Sequence, residues 1–180
     1  MRWVIKQKGF TIVELLIVIV VIAILAAISI VAYTGIQNRA KNQQTTTAVA
    51  TYYKALASYG VDNSALPNYR ACLGPETFYT SNPCYVGGST YTWSSALNSA
   101  LGTYINSPVA TASGAATNGS TVTASGIFYD NPGGGTSGYI GFVQFGVTSC
   151  PTISGAQAYS TTPTTPLGSD VYCRIRVPTY

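Results

Sequence analysis

The chain has 180 residues, enough for one modest domain and an N-terminal extension. Charged residues make up only 8%, against roughly a quarter in an average soluble domain, and histidine is absent. The commonest general base and the commonest metal ligand are therefore both missing, which argues against an enzyme or a metal site and predicts no cofactor.

The formal charge is +4, but Arg2, Lys6 and Lys8 all lie ahead of Gly9. Beyond Gly9, six basic side chains face five acidic ones, a net of +1. Such a balance gives no long-range field for nucleic acid.

From Leu15 to Tyr33 the chain reads LLIVIVVIAILAAISIVAY, with Ser29 its one polar residue. As a helix this run rises about 28 Å, enough to cross a hydrocarbon core. The short basic leader places the N-terminus on the cytoplasmic side and the rest outside. A secretory signal peptide is the competing reading, with Ala23–Ala27 as its cleavage region. The run is longer than the roughly 7–15 apolar residues of a signal peptide, and Glu14 does not fit an ordinary anchor. A carboxylate at the end of an apolar run costs ~2.5–3.5 kcal/mol on insertion scales, so it needs a partner. An amine created at Phe10 would lie roughly 6 Å away along a helix.

The run Lys8-Gly9-Phe10-Thr11-Ile12-Val13-Glu14-Leu15-Leu16 resembles the cleavage and methylation site of type IV pilins and pseudopilins. The resemblance covers about the first 35 residues. It implies cleavage after Gly9 by a prepilin peptidase that also methylates the new amine of Phe10. It implies that Glu14 pairs with the amine of an adjacent subunit during assembly. The implied partners are further copies of the chain in a homopolymeric filament, the peptidase/methyltransferase, the pilus assembly machinery, and membrane lipid before assembly. The implied location is the inner or cytoplasmic membrane for the precursor and an extracellular filament afterwards. Many family members carry a proline where this chain has Ser29-Ile30-Val31-Ala32, so a kink in the helix is not implied here.

The expected boundaries are a leader over 1–9, a membrane and filament-core helix over 10–35, an amphipathic half-helix over 36–60, and an extracytoplasmic β-rich head over 61–180. Val49, Tyr52, Tyr53 and Leu56 form one helical stripe that would pack on the head. Thr45-Thr46-Thr47 is a poor helix run that would fray it. Gly60, with Asp62-Asn63-Ser64 and Pro67 after it, reads as the stop, for one helix from about Phe10 to Tyr59.

Residues 61 to 110 read as loop-rich, with a short helix within Thr92–Tyr104, and 111 to 126 as small, polar turn and loop. Gly126–Tyr129, Tyr139–Thr148 and Val171–Val177 read as strands, the first two joined as a hairpin through Asp130-Asn131-Pro132-Gly133-Gly134-Gly135. Ala156–Thr162 is a further strand candidate. In the last strand Val171, Cys173, Ile175 and Val177 share one face, and Tyr172, Arg174 and Arg176 the other. The expected fold class is α+β: a long N-terminal helix on a small antiparallel sheet, which is also the architecture the resemblance implies.

Cys72, Cys84, Cys150 and Cys173 show no C-x-x-C spacing and read as two disulfides of an exported domain. Three connectivities exist, and the shorter loops favour Cys72–Cys84 with Cys150–Cys173. Asp130-Asn131 reads as a turn, with a calcium loop as the weaker alternative. Arg174 and Arg176 with Tyr172 read as a solvated strand face, with DNA contact unsupported. The functional expectation is a structural filament subunit. A pseudopilin of a secretion or competence system and a singly anchored extracytoplasmic binding domain remain the alternatives.

Overall fold

The protein is seen in a computed structural model that describes residues 9–79, 83–86, 89–106, 109, 115–118, 121–133, 137–158, 166–167 and 170–178. The chain divides into two compact units, one through Gln37 and one from Asn38 to Tyr180. A single 52-residue helix, α1 (Ile12–Asn63), contributes to both.

In the first unit α1 is apolar on every side. Large side chains from Ile12 to Ile36 are about half exposed or more, and none is buried. A helix that is apolar all round needs a non-aqueous surrounding, and this one is long and apolar enough to cross a membrane. The Ser29 hydroxyl donates to the Leu25 carbonyl at 2.7 Å, so its polar group is satisfied within the helix.

In the second unit the remainder of α1 buries one stripe. Ala48, Val49, Tyr52, Tyr53, Ala55 and Leu56 all lie in the main core. The expected stripe is therefore present. Two helix-weakening signals are overridden by packing. Thr45 is buried and the Thr46 hydroxyl donates to the Asn42 carbonyl at 2.8 Å, so the threonine run stays helical. Gly60 does not end the helix. It is buried within it, and α1 runs on to Asn63, with Ser64 at φ 53° just beyond. Gly60 is buried while Val61, Asp62 and Asn63 beyond it are exposed, so the helix carries a glycine cost of about 1 kcal/mol at the position that packs on the head.

The head holds two antiparallel sheets. The six-stranded sheet runs β1 (Arg70–Cys72), β6 (Ile127–Asp130), β7 (Tyr139–Gln144), β10 (Asp170–Arg176), β8 (Gln157–Ala158), with β9 (Pro166–Leu167) also paired to β10. The four-stranded sheet runs β3 (Ser89–Tyr91), β2 (Cys84–Val86), β5 (Thr121–Ser125), β4 (Ala115–Asn118). Two short helices complete it, α2 (Glu76–Tyr79) and α3 (Ser95–Leu101). β6 and β7 pair as the expected hairpin, with Asp130 opposite Tyr139. The strands over 115–118 and 121–125 replace the expected loop. Of the 156–162 candidate only Gln157–Ala158 is seen as strand, and 159–162 lie outside the described residues.

The larger sheet is covered on both faces, which explains why β6 is buried along its whole length. Ile127, Tyr129, Ile140, Phe142, Val171, Cys173 and Ile175 face the α1 core. Phe128, Val143 and Tyr172 face a second core with Tyr79, Tyr91, Ala124 and the Cys72–Cys84 bridge. The β10 alternation is therefore as expected, but its second face is solvated only towards its end: Tyr172 is buried, Arg174 half-buried and Arg176 exposed. Full burial of each large side chain contributes about 1.5–3 kcal/mol. In that second core Phe128 stacks between Tyr91 and Tyr172 at centroid distances of 4.8 and 6.1 Å. Gly141 makes room for it, since a Cβ at that position would lie 2.2 Å from the Phe128 ring.

Asn42 fixes α1 to the end of β7. Its amide donates to the Phe145 carbonyl and accepts from the Phe145 N–H, both at 2.8 Å, as a neighbouring strand would. Cys72 pairs with Cys84 and Cys150 with Cys173, each at a Cα–Cα distance of 5.7 Å.

Candidate assembly and processing site

The N-terminal candidates occupy one short stretch. Gly9, Phe10 and Thr11 precede the helix in irregular backbone. Gly9 is exposed and nothing lies within 4 Å of where its Cβ would be. Phe10 is 84% exposed. Among the described residues nothing crowds the Gly9–Phe10 bond. The rest of the expected leader, 1–8, lies outside the described residues.

Thr11 and Glu14 form a reciprocal pair at the start of α1. The Glu14 carboxylate accepts from the Thr11 N–H at 2.8 Å and from its hydroxyl at 2.7 Å, through the same oxygen, Oε2. The Glu14 N–H donates to Thr11 Oγ1 at 3.2 Å. This is a capping box, which satisfies otherwise orphaned donors of the first turn and places negative charge at the positive end of the helix dipole. The Thr-x-x-Glu spacing ahead of an apolar run is its sequence signature, and the sequence reading passed over it. With the leader attached, Phe10 has no free amine. Glu14 Oε1 makes no hydrogen bond among the described residues and remains open to a further donor.

The buried polar centre of the head lies elsewhere. Asp130 is 3% exposed and ends strand β6, so it is not a turn residue. Its carboxylate pairs with Arg70, Nε to Oδ1 at 2.9 Å and a second guanidinium nitrogen to Oδ2 at 3.2 Å. The hydroxyls of Tyr91 and Tyr139 donate to Oδ2 at 3.0 and 2.8 Å. Arg70 also packs over the Tyr91 ring, 5.4 Å from its centroid. Arg70, Asp130 and Tyr139 are cross-strand neighbours in one sheet, and Tyr91 comes from the other. The cluster ties the two sheets together: Oδ2 accepts all three hydrogen bonds, and the buried Oδ1 has the Arg70 ion pair but no hydrogen bond among the described residues. Calcium binding through Asp130 is not supported by that donor set. Among the described residues no three His, Cys, Asp or Glu side chains gather to hold a metal.

Tyr172 is too buried to stack on a nucleic-acid base, and Arg174 packs over the Tyr139 and Tyr172 rings at 5.5 Å each. Burial pushes the phenols of Tyr172, Tyr129 and Tyr139 above their ordinary value, and that of Tyr52 up to about 12. All four are neutral and structural at physiological pH.

A family model described as the prokaryotic N-terminal methylation motif matches residues 5–30. Over 78 residues the chain is 34% identical to type II secretion system core protein G of Vibrio cholerae serotype O1, covering 43% of this chain and 53% of that one. Over 69 residues it is 30% identical to the protein of the same name from Dickeya chrysanthemi, covering 38% and 45%. The chain spans about half the length of the curated relatives it matches. No solved structure matches it.

Proposed function

We propose that this chain, which carries a prepilin-type N-terminal motif ahead of an apolar helix and an α+β head, is a structural subunit of a type IV pilus-like filament. The observation that carries the reading is Glu14, a carboxylate held in a capping box at the start of a helix whose one other polar residue before Tyr33 is Ser29. Capping occupies only Oε2, and a passive anchor has no use for the charge left on Oε1 at the edge of an apolar run. In the proposed cycle a prepilin peptidase cuts after Gly9 and methylates Phe10. The new amine, on the same or a neighbouring chain, then meets Glu14 Oε1. Pairing across subunits ties the tolerance of a buried carboxylate to correct axial stagger. Membrane lipid surrounds the helix before assembly, and other copies surround it afterwards. The head stays outside the membrane, braced by two disulfides suited to an oxidising compartment. The role is structural rather than catalytic.

The second reading is a pseudopilin, a subunit of a short filament in a secretion system. It is favoured by the similarity to the secretion-system core proteins above. Both readings share the processing and assembly chemistry.

The test is Glu14→Val in the chain's own host. The variant should insert in the membrane and be cut normally, yet electron microscopy and shearing should recover few or no filaments. Normal filaments from this variant would overturn the assembly role of Glu14.

A further inference from the structure

We propose that the cleft between α3, Trp93 and the buried Tyr52 of α1 is a binding site for a neutral saccharide. The cleft has a volume of about 330 Å³ and opens to solvent. That lies at the lower end of small-molecule sites, roughly 300–1,000 Å³, and suits a single sugar ring.

Its lining has the chemistry of a polyol site. Trp93 offers a half-buried indole whose Nε1 donates to the Gly74 carbonyl at 2.9 Å, which holds the ring in a fixed plane. An immobilised aromatic face suits the C–H face of a sugar. Ser95, Asn98 and Ser99 stand at i, i+3 and i+4 on α3 and so share one helical face. Ser94 caps that helix by accepting from the Leu97 N–H at 3.2 Å, which sets the register of the three. Asn98 commits one amide hydrogen to the Ser94 carbonyl. Asn106 completes the rim.

The side chains of Ser95, Ser99 and Asn106 make no hydrogen bond to other described residues. They leave hydroxyl and amide groups among the cleft's lining residues with donors and acceptors both available. Apart from the Tyr52 phenol, which accepts from the Val109 N–H at 3.1 Å, no described lining residue is ionisable. Phosphates, carboxylates and cationic peptides therefore find no counter-charge. A wholly apolar ligand would strip water from the rim amides and hydroxyls without replacing its bonds. A neutral ring with one apolar face and several hydroxyls meets both demands.

The protein supplies its own reporter. It has two tryptophans, Trp3 and Trp93, so the full chain carrying Trp3→Phe emits from Trp93 alone. The protein is held in a zwitterionic detergent, because maltoside headgroups belong to the proposed ligand class. Emission is titrated with glucose, galactose, mannose and N-acetylglucosamine, with glycerol as the osmolyte control. The expected result is a saturable change with at least one sugar and a dissociation constant raised about five- to tenfold by Asn106→Ala or Ser99→Ala. Both side chains are exposed, so neither change threatens folding. Linear changes matching glycerol for every sugar would overturn the proposal. So would saturation that neither substitution weakens, or saturation by cyclohexanol but by no sugar. The readout does not involve assembly, so its failure is separate from failure of the filament reading.

Discussion

Thr11 and Glu14 hold each other at the first turn of α1, three hydrogen bonds between two side chains and two backbone N–H groups. The pair links the proposed processing junction to the carboxylate proposed to act in assembly. Cutting after Gly9 leaves Thr11 as the second residue, one position from the new amine. The carboxylate that caps the helix through Oε2 then keeps Oε1 for a partner.

Thr11→Val removes the hydroxyl from this pair and should weaken the helix start by about 1 kcal/mol. Amide exchange at Glu14 and Leu15 in detergent micelles should speed roughly fivefold. Unchanged exchange would mean that the capping box contributes nothing in the membrane-like state.

Asp130 and Arg70 should prove unequal partners. Asp130 is 3% exposed and accepts from three side chains, whereas the Arg70 side chain is 53% exposed. Asp130→Ala strands the Tyr91 and Tyr139 hydroxyls and should cost about 2–3 kcal/mol. Arg70→Ala leaves those two donors on the carboxylate and lets water replace the guanidinium, so about 1 kcal/mol or less is expected after solvent screening. Urea denaturation of the two variants gives the order directly, and a costlier Arg70→Ala would contradict it.

The head should be stable to mild alkali and then fail steeply. Burial raises the phenol of Tyr52 from 10.0 to about 12 and shifts those of Tyr129, Tyr139 and Tyr172 in the same direction. Below pH 10 these groups are protonated whether the chain is folded or not, and their contribution is complete. Above it the unfolded chain releases their protons first, so stability falls from about pH 10 through about pH 12. Urea midpoints across that window should drop, and tyrosinate absorbance should appear together with loss of the fold. Free titration of all tyrosines near pH 10 in a folded head would contradict the burial.

The long helix and its head-facing stripe were legible because Val49, Tyr52, Tyr53 and Leu56 keep a strict helical period. The final strand was legible because Val171, Cys173, Ile175 and Val177 alternate. β4 and β5 were not, because Ala115–Asn118 has no apolar alternation and that of Thr121–Ser125 rests on Val122 and Ala124 alone, a signal lost in a small, polar stretch. Their strand character comes from pairing with each other and with β2, a long-range effect. The helix end moved from Tyr59 to Asn63 because burial of Gly60 overrode its propensity. At the candidate site, the Gly9/Phe10 junction and Glu14 stood out by residue type. Thr11 did not, since its role appears only as a spacing to Glu14. The Arg70–Asp130 cluster was invisible because it joins residues sixty positions apart.

Intact-mass measurement of the protein taken from its own host's membrane and filament fractions tests the central claim most directly. The account predicts a chain that begins at Phe10, carries one added methyl group and holds two disulfides. A chain that retains residues 1–9, or one cut within Ala23–Ala27, would contradict it.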